Sequence, residues 1–314
     1  MTRVAAIDCG TNSIRLLVTD VAKPGSGQPP REVSRRMEIV RLGAGVDSTG
    51  ELAPEAIERT RVALASYAAD IAHLGAERVR MIATSATRDA RNRAVFEAMV
   101  TDLLGQPAEV ITGTEEAALS FRGATADLAT HPSPPSPPYL VLDIGGGSTE
   151  FVLGKRTVTA SLSVDIGCVR LTERHLSSDP PTPDEIGAAE ADIRVGLEAV
   201  ARAVPIRAPF TLIGLAGSVT TVAAIALGLS AYDPDAIHHS RITVGDVRST
   251  TAGLLTMTRS RRAQIPSMHP GRVDVIGAGA LILRVVMDAW AIDSVLVSEH
   301  DILDGIAASL ADPR

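Results

Sequence analysis

Ile7-Asp8-Cys9-Gly10-Thr11-Asn12-Ser13, near the start of the chain, is written a second time as Leu142-Asp143-Ile144-Gly145-Gly146-Gly147-Ser148. Aligning Asp8 with Asp143 also aligns Gly10 with Gly145 and Ser13 with Ser148, each pair 135 residues apart. In both copies an apolar strand (Val4-Ala5-Ala6-Ile7; Tyr139-Leu140-Val141-Leu142) ends in a carboxylate. A turn of small residues follows, then a second apolar strand (Ile14 to Val18; Phe151 to Leu153). Small turn residues leave backbone N–H groups free to face an anion, and a carboxylate holds a cation. Two such hairpins facing one another would clamp a phosphate and its metal between two domains.

The rest of the chain alternates strands with helices, the pattern of sheets covered by helices and thus of an α/β protein. After a Pro/Gly-rich turn from Pro24 to Pro30 comes a polar strand near Glu32 to Leu42. Pro54 suits the first helical position, and Ile57, Val62, Leu64, Tyr67, Ile71 and Leu74 form a helical stripe ending at Gly75. Val79 to Ala83 reads as a buried strand, leading through Thr84-Ser85-Ala86-Thr87-Arg88 to a helix that ends near Gly105. A short strand, Ala108 to Ile111, precedes Thr112-Gly113-Thr114-Glu115-Glu116 and a helix from Ala117 to Leu128.

Five prolines lie within residues 131–138 and favour an extended spacer, so 129–138 is expected to be a linker between domains 1–128 and 139–314. The second half adds a strand near Thr157 to Val164 and helices around Cys168 to Leu176 and Asp184 to Val204. Thr211 to Thr220 reads as strand, Gly-rich turn and helix start, a third candidate phosphate loop. The tail offers a helix over Val273 to Trp290, a strand over Ser294 to Val297 and a last helix from Asp301, which is free to pack back on the first domain.

Bulk properties narrow the function. At 314 residues the chain suits two domains. No apolar run reaches the roughly 18 residues a membrane helix needs, and the opening residues lack a signal-peptide layout, so the expectation is a cytoplasmic protein without a membrane partner. Two cysteines, Cys9 and Cys168, form no disulfide framework and read as small buried fillers. A formal charge of −7 argues against nucleic acid, while a local basic lining still serves a polyanionic ligand. Arg88, Arg91 and Arg93 form one basic run and Arg259, Arg261 and Arg262 another; both read first as solvated helix faces.

The candidate chemistry sits at loop ends. Asp143 and Glu150 flank a tight turn and meet across it, a partial shell for Mg²⁺. Gly145, Gly146 and Gly147 permit close backbone approach to a phosphate oxygen. Glu115 and Glu116 follow a Gly at a helix start, where one complements the helix dipole and the other is available as a general base; spacing does not choose between them. Arg88 is placed to stabilise charge on a transferring phosphoryl group.

Seven motifs stand in the order seen in the exopolyphosphatase/guanosine pentaphosphate phosphohydrolase (Ppx/GppA) family, which the chain resembles over nearly its whole length. They are Asp8-Cys-Gly-Thr-Asn-Ser, Ala83-Thr-Ser-Ala-Thr-Arg88, Thr112-Gly-Thr-Glu-Glu-Ala117, Asp143-Ile-Gly-Gly-Gly-Ser-Thr-Glu150, Gly167-Cys-Val-Arg-Leu-Thr-Glu173, Gly214-Leu-Ala-Gly-Ser-Val-Thr-Thr221 and Arg272-Val-Asp-Val-Ile-Gly-Ala-Gly-Ala280. The resemblance implies two actin-like (ASKHA, ribonuclease H-like) domains around a deep interdomain cleft. It implies Glu116, the second of the pair, as catalytic base, with Arg88 at the phosphate site. It further implies Asn12 and Ser13 in the first phosphate loop and Gly145, Gly146, Gly147 and Ser148 in the second. Asp143 and Glu150 match the metal-associated carboxylates, with Mg²⁺ as cofactor, and Cys168 matches a cysteine near the cleft.

The activity so implied is that of a phosphoric anhydride hydrolase, releasing orthophosphate from the ends of inorganic polyphosphate. Conversion of pppGpp to ppGpp, a stringent-response reaction, is the alternative at the same site. A non-hydrolytic actin-like nucleotide or polyphosphate sensor is the alternative of another class, and it expects loss of the catalytic carboxylate, whereas Glu116 is present. A homodimer is the expected assembly. The chain ends before the helical HD-type domain of longer members, which favours short polyphosphate. Leu303 and Asp304 depart from the family's terminal pattern, so no phosphate contact is expected there.

Overall fold

Among the described residues eleven strands form two sheets, and the two sheets repeat one topology. The structure, a computed structural model, describes residues 1–22 and 28–311. The first sheet contains β1 (Thr2–Cys9), β2 (Ser13–Val21), β3 (Arg31–Ile39), β4 (Arg78–Ala83) and β5 (Glu109–Val110), in the order β3-β2-β1-β4-β5. β1 runs antiparallel to β2 and parallel to β4. The second sheet contains β6 (Tyr139–Ile144), β7 (Thr149–Gly154), β8 (Val158–Val164), β9 (Thr211–Leu215), β10 (Arg241–Thr243) and β11 (Ser294–Val297), in the order β10-β11-β9-β6-β7-β8. β6 likewise runs antiparallel to β7 and parallel to β9. An antiparallel meander followed by a parallel crossover, made twice, is the duplicated ribonuclease H-like arrangement of actin-like proteins, an α/β fold.

The central strands are apolar on both faces because helices cover both: Val4, Ala5, Ala6 and Ile7 are fully buried, as are Leu140, Val141 and Leu142. β3, at the sheet edge, carries Arg31, Glu32, Arg35, Arg36 and Glu38, charges that discourage pairing with another chain.

The chain divides into two compact units, Met1–Gly123 with Asp301–Arg314 and Ala124–His300. In the first, the helix Pro54–Leu74 buries Leu64 and Tyr67 against the sheet, and the Tyr67 hydroxyl donates to the Ile14 carbonyl at 3.1 Å. The last helix, Ile302–Ala311, belongs to this unit and packs Ile302, Leu303 and Ile306 with Val4, Ala6, Leu17 and Ile82. In the second unit, Phe151 meets Trp290 edge-on at 5.9 Å between ring centroids, over a core closed by the helix Ile276–Ala289.

Several expectations shift. The boundary between units falls at Gly123/Ala124, ahead of the proline-rich stretch. Those prolines are tied to the second unit: the Tyr139 hydroxyl donates to the Pro135 carbonyl, and the Thr211 hydroxyl and amide to the carbonyls of Ser136 and Pro138. The Thr84–Arg88 segment is a short helix, Ser85–Asp89, and the following helix is Arg93–Leu104. The helix after β5 starts at Gly113 and ends at Thr125, and the Val273–Trp290 helix starts at Ile276, after a 3₁₀ turn at Pro270–Arg272. The Pro24–Pro30 turn falls mostly on residues 23–27, outside the described residues. No helix among the described residues is long and apolar enough to cross a membrane.

Candidate active site

The two copies of the opening motif fold into the same turn. Gly10 N–H donates to the Ser13 carbonyl at 3.0 Å, and Gly145 N–H to the Ser148 carbonyl at 3.0 Å. Each turn is then pinned by its carbonyls. In the first unit, Asn12 O accepts from the amides of Val40 and Arg41, Thr11 O accepts from Gly43, and the hydroxyls of Thr11 and Ser85 lie 2.9 Å apart. In the second, the start of the helix Cys168–His175 ties the glycine loop. Cys168 N–H donates to Gly145 O, Val169 and Arg170 N–H to Gly146 O, and Gly167 N–H to Gly147 O. A Cβ on Gly167 would overlap the Gly146 carbonyl, so only glycine allows this approach.

With the carbonyls taken, the amides of Gly146, Gly147 and Ser148 make no hydrogen bond among the described residues. Successive unpaired N–H groups form a concavity that binds anions. In the first loop the Asn12 side-chain oxygen is buried without a hydrogen-bond partner.

Beside these turns the two copies diverge. Asp8 faces Arg15 across the first hairpin, and Asp143 faces Glu150 across the second. Arg15 donates to Asp8 Oδ2 at 2.6 Å and also to Asp301, so one guanidinium ties two buried carboxylates within the first unit. Burial raises the Asp8 pKa above its ordinary value, while Arg15 acts in the opposite direction. Asp143 and Glu150 are 8% and 1% exposed, and directly opposed residues place their side chains on one sheet face about 5 Å apart. Glu150 Oε1 accepts from the hydroxyls of Ser148 and Ser163, both at 2.7 Å, which orients the carboxylate. Two carboxylates with hydroxyl support form an all-oxygen donor set, the chemistry that fits a hard dication such as Mg²⁺.

The two neighbouring glutamates also separate. Glu115 is exposed and accepts from Arg80 at 2.9 Å, a surface ion pair. Glu116 is 7% exposed and accepts from Arg88 Nη1 at 3.1 Å, the same nitrogen that donates to the Ile111 carbonyl at 3.0 Å. The helix start brings them there, with Thr112 O accepting from Glu116 N–H at 2.9 Å. Glu116, Arg88, Asn12 and Ser13 thus lie in the first unit, and Asp143, Gly145, Gly146, Gly147, Ser148 and Glu150 in the second.

Cys9 and Cys168 are both buried, and burial pushes both thiols up from the ordinary cysteine value, so neither is a thiolate at neutral pH. The run Arg259, Arg261 and Arg262 splits: Arg262 is buried and pairs with Asp179 at 3.5 Å, within the second unit.

One residue given no role in the sequence joins this group. A Cβ on Gly217, in the first turn of the helix Ala216–Ala226, would overlap the Arg272 guanidinium. Arg272 therefore lies over the third Gly-rich turn. Its place in the seventh motif was legible, whereas its contact with a turn 55 residues earlier was not.

This duplicated ribonuclease H-like arrangement is the fold of the actin-like class of proteins. A profile of the Ppx/GppA phosphatase family matches residues 20–313. The chain belongs to that family.

Exopolyphosphatase 2 of Mycobacterium tuberculosis is 53% identical over 320 aligned positions, covering 99% of both chains. The guanosine-5'-triphosphate,3'-diphosphate pyrophosphatase of Photobacterium profundum is 32% identical, covering 96% of this chain and 58% of its own. The crystal structure of an exopolyphosphatase-like protein superposes with a TM-score of 0.93 at 41% identity, covering 99% of both chains.

Proposed function

We propose that this chain is an exopolyphosphatase that releases orthophosphate from the ends of inorganic polyphosphate, with short chains preferred. The observation that carries the reading is the buried Glu116 carboxylate paired with Arg88. An ion-paired carboxylate is the anionic form that accepts a proton, and Glu116 takes one from the attacking water. Arg88 offers its remaining donors to the non-bridging oxygens of the terminal phosphate, where charge accumulates as the bond to the leaving phosphate breaks. The open amides of Gly146, Gly147 and Ser148, and the turn holding Asn12 and Ser13, bind phosphates of the substrate.

Asp143 and Glu150 would hold Mg²⁺, whose chemistry when bound is to neutralise phosphate oxygens. The buried, hydroxyl-supported position of Glu150 supports this assignment, and Glu116's burial supports it over Glu115 as the base. Hydrolysis of pppGpp is the second reading, favoured by the likeness to the Photobacterium enzyme. A cytoplasmic homodimer completes the proposal, checked by light scattering.

The test is phosphate release measured side by side from short polyphosphate, long polyphosphate, pppGpp and ATP, with Mg²⁺ present or chelated. Highest kcat/KM on short polyphosphate, lost on chelation, is expected. Faster turnover of pppGpp replaces the first reading with the second, and no release from any of the four overturns both.

A further inference from the structure

Three of the chain's seven histidines gather around one aspartate with a fourth packed against them, and no part of the proposed hydrolysis uses them. Asp127 precedes the 3₁₀ turn Leu128–Thr130; His238 and His239 follow the short helix Pro234–Ile237; His300 follows β11. All lie in the second unit. Asp127 Oδ2 is 2.9 Å from His238 Nε2 and 3.0 Å from His300 Nδ1, while Oδ1 is 3.5 Å from His239 Nε2. The His238 ring stacks on His239 at 3.8 Å between centroids, and His131 meets His239 edge-on at 4.8 Å.

The donor atoms of Asp127, His238 and His300 all fall within 4.8 Å of one another, a spacing that closes on one ion with small side-chain movements. A second observation points the same way. Asp127 Oδ1 and His239 Nε2 are both buried without a hydrogen-bond partner, although they face each other. Buried polar atoms are nearly always satisfied, and two facing orphans mark a place for a third atom. The backbone is held to this arrangement: His239 adopts φ +61, unusual for a residue with a side chain, and is fixed by its N–H to the Val297 carbonyl at 2.7 Å.

Charge agrees with the geometry. Burial, then the neighbouring His238, pushes His239 below the ordinary histidine value, which keeps its ring neutral with a lone pair to give. Burial works against ionisation of Asp127, yet the hydrogen bonds from His238 and His300 outweigh it and hold the carboxyl well below the usual range.

We propose that Asp127, His238, His239 and His300 form a binding site for a late first-row dication of the zinc class, separate from the Asp143–Glu150 carboxylates. Imidazole-rich sets with one carboxylate select such ions over Mg²⁺, which demands oxygen ligands. Entry requires one rearrangement. Glu299 N–H donates to His238 Nδ1 at 3.1 Å, which places that ring's proton on Nε2. Ligation through Nε2 moves this proton to Nδ1 and gives up the Glu299 bond. His131 lies behind His239 and supports its ring.

The test uses the full, untagged chain, stripped by a chelator and returned to excess Mg²⁺, then titrated with Zn²⁺ by calorimetry and with Co²⁺ by absorption. Binding of a single Zn²⁺, a tetrahedral-type Co²⁺ spectrum, and a Zn²⁺-dependent rise in melting temperature are expected. Affinity should fall at least about tenfold in Asp127→Asn, His239→Ala and His300→Ala, and stay unchanged in Glu150→Gln. Thermal unfolding without metal identifies any variant that has lost its fold; His300→Gln then replaces His300→Ala. The proposal is overturned if the wild-type chain binds no Zn²⁺ in the presence of Mg²⁺. It is equally overturned if folded Asp127→Asn and His239→Ala bind as tightly as wild type, or if Glu150→Gln abolishes binding.

Discussion

Arginine 15 and glutamate 150 occupy equivalent places in a duplicated motif, and this one difference in charge separates the two copies. Arg15 neutralises Asp8 and Asp301 inside the first unit, whereas Glu150 adds a second carboxylate beside Asp143. Removing Arg15 leaves two buried carboxylates without their counter-ion. Arg15→Ala is expected to cost about 3–5 kcal/mol at neutral pH, read by urea denaturation. The sign of the pH dependence follows from Asp8, whose folded pKa lies above its unfolded value. In the window between the two the folded state binds more protons, so stability falls as pH rises. The Arg15→Ala deficit should therefore shrink on acidification, and a deficit that grows would contradict the account. At the second copy, Asp143→Asn should shift Mg²⁺ activation to higher concentration and lower activity together; an unchanged magnesium titration removes Asp143 from the metal site. The alternation of charge at Arg15 and Glu150 was legible in the chain. The reach of Arg15 to Asp301, 286 residues away, was not, because nothing local encodes it.

At the scale of elements, the signals that held were those that act over a few residues. Pro54 at a helix start with Gly75 at its end marked one of the two longest helices among the described residues; the other, Pro183–Ala203, was read as starting at Asp184. The second carries a full capping box: Thr182 Oγ1 accepts from Glu185 N–H at 3.3 Å, and Glu185 accepts from Thr182 N–H at 2.8 Å. Glu185 also accepts from Ser177 and Ser178, and these bonds lower its pKa to about 2. Thr182→Ala should cost about 1 kcal/mol, measured by denaturation. Glu185 is a carboxylate with a depressed folded pKa, so its contribution is present above the unfolded value of 4.5 and is lost as pH falls toward 2. Glu185→Gln should flatten this acid limb of the stability profile; an unaltered limb would show that the cap does not govern it. The signals that misled were the small-residue stretches. Thr84 to Thr87 reads as a loop by composition, yet Ser85–Asp89 forms a helical turn because the strand before it and the Thr11 hydroxyl fix its start.

For the whole molecule, the duplication decided the architecture, and both sheets follow from reading one motif twice. What the sequence could not place was pairing across distance. Three histidines, His238, His239 and His300, meet Asp127, with His131 against His239, whereas the last helix, which the sequence left free to pack on the first domain, does join the first unit. Ile306, fully buried against Val4, Ala6 and Leu17, carries part of that terminal packing, and Ile306→Ala should cost about 2–5 kcal/mol by denaturation, with a loss under about 1 kcal/mol contradicting it. The central claim is that this family member breaks phosphoanhydride bonds with Glu116 as the base. Its most direct test compares wild type with Glu116→Gln on short polyphosphate, measuring orthophosphate release and substrate binding together. The account predicts that the variant binds about as well as wild type and loses turnover by at least about a hundredfold. Turnover equal to wild type, in a variant that binds and folds normally, would contradict it.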